Sequence, residues 1–392
     1  MTAINDSYLS TWSVRLGDRP LFAIFVALMG LGLVVMASAS VDVTVGGHQT
    51  DTLYFLWRQL GFLVAALVLA LIVLYVPSVW WQRGANAALV ATVIALIAVL
   101  FAPEVNKVHR WLKVGPLLIQ VSELAKLGMV IYFAAFLAKH AEWLQTDLSK
   151  VLIALIPLAV VSGLILKEPD LGTVVVLSAT VIGMFFMAGL RWRYLIVLVS
   201  VAAVSFVALI ATKSYRMARV ESFLDPCREE FMRGSGYQLC HSLVAFGRGE
   251  WFGVGLGGGV QKLSHLPEAY NDFVFAILAE ELGAVGSLTV IVLYCLVIWR
   301  GLYIALRAQH AGQVFNSMLA YGITFWLGGQ AFINMAVNMA LVPPKGLTLP
   351  LISYGGSSLV VTIVGLALLL RVAYEARDQE PVRWIPWKSA SS

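Results

Sequence analysis

Runs of apolar residues, each bounded by charge, by Pro/Gly or by Trp/Tyr, recur along almost the whole chain. They fall near 21–39, 59–76, 85–102, 123–138, 151–166, 171–190, 194–212, 273–303, 315–338 and 357–374. A bilayer core about 30 Å thick requires roughly 20 apolar residues per helical pass, which these runs approach. Backbone polar groups in lipid must be satisfied internally, so a span is either a helix or part of a closed barrel. The runs are continuous and rich in Leu, Ala and Val rather than alternating, which selects helices. The pattern predicts an all-α polytopic integral membrane protein of about ten transmembrane helices. One long outward-facing loop, about 213–272, lies between spans seven and eight. Around a single membrane domain at 21–375 it predicts a cytoplasmic segment at 1–20 and a cytoplasmic tail at 376–392.

Composition agrees: 60% of the 392 residues are hydrophobic and only 12% are charged, with a mean hydropathy of +0.84, which excludes an ordinary soluble domain. The first run ends in Ala37-Ser38-Ala39, a pattern resembling a signal-peptidase site, but it exceeds a typical signal core and is read as an uncleaved span. An even number of spans puts both termini on one side. Basic residues outnumber acidic ones on that side (Arg15, Arg19, Arg83, Lys139, Arg191, Arg193 and Arg300 among them), so the termini are assigned to the cytoplasm. The remaining basic residues concentrate in 107–126 and 213–262. They are read either as a long loop exempt from the positive-inside rule or as an outward site for an anionic, phosphate-bearing substrate.

Polar residues at membrane depth are functional candidates, with interhelical hydrogen bonding as the alternative. Glu123 and Lys126, three apart, share one helix face and can pair. Glu168-Pro169-Asp170 interrupts the chain and can present carboxylates to the next helix N-terminus. Gln330, Asn334 and Asn338 form one stripe, read as interhelical glue. Asp272, where the long loop meets span eight, is either a helix N-cap or a partly desolvated general base. Glycines from Gly253 to Gly259 lack the preceding strand of a dinucleotide site, so they are assigned to tight turns and close backbone approach. Cys227 and Cys240 fall in the polar stretch; whether they form a disulfide depends on that stretch facing an oxidising compartment. With His241 and His265 they match no familiar zinc spacing.

Several motifs then occur in one order: Arg110-Trp111-Leu112, Ser122-Glu123-Leu124-Ala125-Lys126, Glu168-Pro169-Asp170-Leu171-Gly172-Thr173, Tyr215-Arg216-Met217-Ala218-Arg219, Gly234-Ser235-Gly236-Tyr237-Gln238, Leu266-Pro267-Glu268 with Asp272-Phe273, and Gly346-Leu347-Thr348-Leu349-Pro350 leading into Ser353-Tyr354-Gly355-Gly356. From about residue 20 to 375 the chain resembles the shape, elongation, division and sporulation (SEDS) family, and its cell-division branch more than its elongation branch. Val121, the lead-in Asn106-Lys107-Val108-His109, Ala340 and Pro344 depart from the family pattern. Ala340 stands where the family usually has glycine.

The resemblance implies a peptidoglycan glycosyltransferase that polymerises lipid II at the outer face of the bacterial cytoplasmic (inner) membrane, concentrated at the division septum. It implies Asp272 as the essential base. Substrate-binding roles follow for Arg110, Glu123, Lys126, Asp170, Arg216, Arg219, Gln238, Lys345 and Ser353. A divalent cation, Mg²⁺ or Mn²⁺, could assist the leaving group, although no residue pattern identifies one. The implied partners are a class B penicillin-binding protein of the FtsI type and other divisome proteins, with no nucleic acid. Two rival functions stand beside this one: a lipid II flippase, and a non-catalytic scaffold that recruits a transpeptidase.

Overall fold

The computed structural model describes residues 17–39, 44–45, 48–49, 54–104, 108–115, 117–146, 148–212, 214–232, 234–263, 266 and 270–377. Most of the 1–20 segment, Asn106, Lys107, Lys213, His265, Pro267-Glu268-Ala269 and the tail after 377 lie outside the described residues, as does the side chain of Arg216. The helices are α1 (Arg19–Ala39), α2 (Tyr54–Tyr75), α3 (Ser78–Arg83), α4 (Ala85–Leu100), α5 (Val121–His140), α6 (Trp143–Thr146), α7 (Leu148–Ala154) and α8 (Ile156–Lys167). They continue with α9 (Leu171–Met187), α10 (Trp192–Ala211), α11 (Ser214–Leu224), α12 (Glu229–Met232), α13 (Tyr237–Gly249), α14 (Val274–His310), α15 (Val314–Asn338) and α16 (Gly356–Glu375). Two antiparallel hairpins, β1 (Thr44–Val45) with β2 (His48–Gln49) and β3 (Trp111–Val114) with β4 (Leu117–Gln120), qualify the all-α expectation.

Among the described residues, six helices are long and apolar enough to cross a membrane: α1, α2 from Phe55, α5, α10, α14 and α16. The pair α7 and α8, bent by 42° across Leu155, makes a seventh when taken as one span, and α4 and α9 are shorter apolar helices. The molecule is a multi-pass membrane protein. Helices α5, α9, α14, α15 and α16 pack into its interior, whereas α10 fully buries only Leu198 and lies at the periphery.

The polar stretch between α10 and α14 is not an open loop, because it folds into α11, α12 and α13. Its overall polarity hides the stripe Leu239, Cys240, Ser242, Ala245 and Gly249 that α13 buries against α14. Cys227 and Cys240 are joined as a disulfide, which removes both thiols as metal ligands. Helix α14 is broken at Gly283, which has φ 66°, and the glycine-rich segment after α13 lies directly against the break. The close backbone approach expected of those glycines is made to another helix at Gly253, whereas Gly255 and Gly257 take positive φ in open space.

Deep in the bundle, both Glu123 carboxylate oxygens lie 2.9 Å from Lys126 Nζ. Lys126 Nζ also donates to Gln330 Oε1 at 2.6 Å and is fully buried. Gln330 Nε2 in turn donates to Thr348 O and Oγ1 at 3.0 and 3.1 Å, tying α5, α15 and the segment before α16 together. Removing one member of a buried ion pair strands the other charge, at a cost of about 3–5 kcal/mol. Lys126→Met is therefore expected to lower the midpoint of thermal unfolding in detergent markedly. The double change Lys126→Met with Glu123→Leu is expected to recover most of that loss; a single variant as stable as the parent would contradict this account.

Candidate functional site

A cleft of about 280 Å³ opens where several interhelical connections meet at one end of the bundle. Each connection delivers a polar side chain. Arg110 comes from the segment between α4 and β3, and Asp170 from the break between α8 and α9. Arg219 comes from α11, Gln238 from the first turn of α13, Asp272 from just before α14, and Lys345 from the segment after α15. Phe206 and Ile210 of α10 complete an apolar wall.

Local chemistry explains each placement. The Arg110 guanidinium donates through Nε to Glu168 O and through Nη2 to Pro169 O at 2.6 Å, which joins the two connections and aims the charge into the cleft. Asp170 is the N-cap of α9: its Oδ1 accepts from Thr173 N at 3.1 Å. Its Oδ2 accepts from Thr173 Oγ1 at 2.8 Å and from Ser122 Oγ at 3.1 Å. A carboxylate there also favours the positive end of the helix dipole. Neighbouring Glu168 is fully buried. Burial first, then the Asp170 charge, push its carboxyl up to about 8 against the opposing pull of Arg110.

Asp272 stands one residue before the N-cap of α14. The N-cap position is Phe273, whose own side chain makes no capping bond. The Asp272 backbone is held by α15, since Asn334 Nδ2 and Asn338 Nδ2 each donate to its carbonyl oxygen at 3.0 Å. Asn334 also donates to Leu347 O at 2.5 Å, and Asn338 Oδ1 accepts from Ala276 N at 3.1 Å. The interhelical role expected of this stripe is present, and its object is the backbone of the candidate base. Gly346 leaves room beside the carboxylate, because a Cβ there would sit 3.0 Å from Asp272 Oδ2.

Lys345 Nζ lies 4.2 Å from the centroid of the Phe206 ring, within cation–π range. Sequence reasoning missed Phe206, because an aromatic inside an apolar span carries no pattern that separates it from its lipid-facing neighbours. Of the expected site residues, Arg110, Asp170, Arg219, Gln238, Asp272 and Lys345 line the cleft. Glu123 and Lys126 do not; they form the buried pair beneath it. Ser353 is also turned inward, its Oγ accepting from Leu349 N at 2.8 Å. Ala340, where glycine was expected, adopts φ 53° in the left-handed region. That conformation costs a residue with a Cβ about 1 kcal/mol or more.

Among the described residues no three His, Cys, Asp or Glu groups converge, and both Asp170 oxygens are occupied by Ser122 and Thr173. What the cleft brings together is two carboxylates, Asp170 and Asp272, with the cations Arg110, Arg219 and Lys345, an arrangement suited to a polyanion beside a group that loses a proton.

Fold and cleft together define a multi-pass helical membrane protein with a cleft lined by arginine, lysine and aspartate at one end of its bundle. Residues 19–378 match the family model FTSW_RODA_SPOVE, described as cell cycle protein, and the chain belongs to this family. A relative from Hahella chejuensis, named probable peptidoglycan glycosyltransferase FtsW, is 43% identical over 366 residues, covering 93% of this chain and 91% of the relative. A solved structure described as "Structural coordination of polymerization and crosslinking by a peptidoglycan synthase complex" superposes with a TM-score of 0.75 at 30% identity, covering 92% of this chain and 99% of that one. The rod shape determining protein RodA of Thermus thermophilus superposes with a TM-score of 0.66 at 30% identity, covering 93% and 98%.

Burial lowers the Lys345 ammonium to about 8. The folded protein then holds fewer protons than the unfolded chain between about 8 and the ordinary lysine value near 10.4, so this group favours folding as pH rises across that window. Anion binding runs the other way, because the charged form is lost as pH rises through about 8. Titration of the purified protein with inorganic pyrophosphate is expected to show affinity falling over that range. Lys345→Arg, which stays charged, is expected to move the fall to higher pH; an unchanged profile would exclude Lys345 as the group responsible.

Proposed function

We propose that this chain is a septal peptidoglycan glycosyltransferase that polymerises lipid II, with Asp272 as general base. The observation that carries the proposal is the Asp272 carboxylate sharing one cleft with Arg110, Arg219 and Lys345. Asp272 accepts the proton of the acceptor sugar's 4-hydroxyl as that oxygen bonds to the anomeric carbon of the donor chain. The bond from that carbon to the phosphate oxygen breaks, and its electron pair leaves with undecaprenyl pyrophosphate. A single displacement converts an α-linked donor into a β-linked product, so one base and stabilisation of the departing charge suffice. Arg110, Arg219 and Lys345 meet that charge, with Arg216 from the same segment as Arg219. Gln238 and Asp170 orient the sugars. Glu123, Lys126 and Ser353 act from beneath as supports of the cleft.

In this reading α1, α2, α4, α5, α7 with α8, α9, α10, α14, α15 and α16 make ten alternating passes through the cytoplasmic membrane. Both termini are cytoplasmic, and the cleft opens to the outer side. Cross-linking of the product falls to a class B penicillin-binding protein of the FtsI type within the divisome. Likeness to a peptidoglycan synthase complex that coordinates polymerization and crosslinking supports such a partner.

The test is polymerisation of labelled lipid II by the protein with its transpeptidase partner. A general base contributes about 10²- to 10⁴-fold to rate, so Asp272→Asn is expected to lower turnover by that order while leaving membrane insertion and thermal stability near the parent's. Full product from the variant sinks the mechanism. Movement of lipid II between leaflets with no glycan product from the parent protein points to a flippase, and division unaffected by Asp272→Asn points to a scaffold.

A further inference from the structure

We propose that residues 250–256 form a re-entrant turn that dips into the leaflet on the Asp272 side and contacts its acyl chains. The sequence places this turn in the middle of the polar stretch, yet it carries Trp251, Phe252 and Leu256 with exposures of 68%, 84% and 58%. These side chains are held out by a rigid backbone. Gly253 N donates to Gly249 O at 2.7 Å, Val254 N to Glu280 O at 3.0 Å and Gly255 N to Glu281 O at 3.1 Å. In return Ala284 N donates to Glu250 O at 2.8 Å and Val285 N to Trp251 O at 3.1 Å.

The turn thus supplies donors and acceptors to α14 on both sides of its break at Gly283, the groups that a broken helix leaves unsatisfied. Irregular backbone at membrane depth is tolerated only when it is satisfied in this way within the protein. The two backbones nearly touch, for a Cβ on Gly253 would lie 2.1 Å from Glu281 O and one on Gly283 2.4 Å from Gly253 N. The Glu280 carboxylate anchors the far side by accepting from Val260 N and Gln261 N at 3.0 and 3.1 Å. The Lys262–Glu281 ion pair, at 2.6 Å, adds a second tie.

Depth follows from helix geometry. At the opposite end of α14, exposed Trp299 precedes Arg300, which pairs with Asp18 at the start of α1, marking an interfacial belt. From Trp299 back to Gly283 the rise is about 24 Å at roughly 1.5 Å per residue. The hydrocarbon core is about 30 Å thick, so Gly283 and the bonded Trp251 lie inside it by several ångströms, and any helix tilt deepens them. Arg248, whose side chain is 42% exposed and whose Nη1 is 3.4 Å from Glu280 Oε1, sits just before the aromatics, placed to extend its charge to the lipid phosphates. Helix α13 connects this anchor directly to Gln238 in the cleft. The turn therefore sets the height of that wall above a membrane-bound substrate.

The test uses the full chain in phosphatidylcholine vesicles with no partner present and the free Cys295 replaced (Cys295→Ser). Phe252→Cys, Leu256→Cys and, as an aqueous control, Glu230→Cys in exposed α12 are each labelled with bimane. The labels at 252 and 256 are expected to be quenched more strongly by a nitroxide on the lipid acyl chain than by iodide in the buffer, and the label at 230 in the reverse order. Labels at 252 and 256 that follow the order at 230 would overturn the proposal. So would iodide protection that arises only when the transpeptidase partner is added, which would reassign the surface to protein docking. Because the two sites report independently, misfolding of one variant leaves the other decisive, and the result does not depend on glycosyltransferase activity.

Discussion

A buried ammonium organises this molecule. Lys126 has no access to water and lies among Glu123, Gln330 and the Trp326 ring, so its charge survives only because α5 and α15 hold those partners around it. Leaving such a charge unpaired costs far more than the net gain from the pair itself. The network therefore acts chiefly as a register pin. Gln330 carries it onward to Thr348, and Thr348 Oγ1 to Ser358 Oγ at 2.7 Å, so the segment bearing Lys345 and Gly346 is suspended between α15 and α16 from one polar chain.

The second level of support is the double grip of Asn334 and Asn338 on the Asp272 carbonyl. These bonds fix the stretch of backbone that presents the Asp272 side chain. A reacting carboxylate gains from being placed before the substrate arrives, because positioning is then already complete. Helix α15 thus serves the cleft twice, through Gln330 below and through the asparagines behind, although none of these three side chains lines it.

The same economy appears at the break in α14. A helix interrupted at Gly283 would expose carbonyls and amides at membrane depth, and the segment after α13 fills that gap with its own backbone. One element closes a structural defect, carries the aromatic tip, and leads through α13 to Gln238 in the cleft. Gly253 and Gly283 are small because two backbones must meet.

Much of this was legible in the residues. Apolar runs with a composition no soluble surface could accommodate determined a helical membrane protein, because lipid leaves the backbone no other partner but itself. The three-residue spacing of Glu123 and Lys126 foretold their pairing, and Asp170 after a proline foretold an N-terminal carboxylate. Spacing could not say that Lys126 faces inward to Gln330, that Ser353 turns away from the cleft, or that Phe206 receives Lys345. Those facts depend on which helix lies beside which. Nor could a polar segment disclose α13 and the turn after it, since their apolar positions acquire meaning only against α14. Local chemistry is written along the chain; contacts between residues far apart in sequence exist only once packing has brought their helices together.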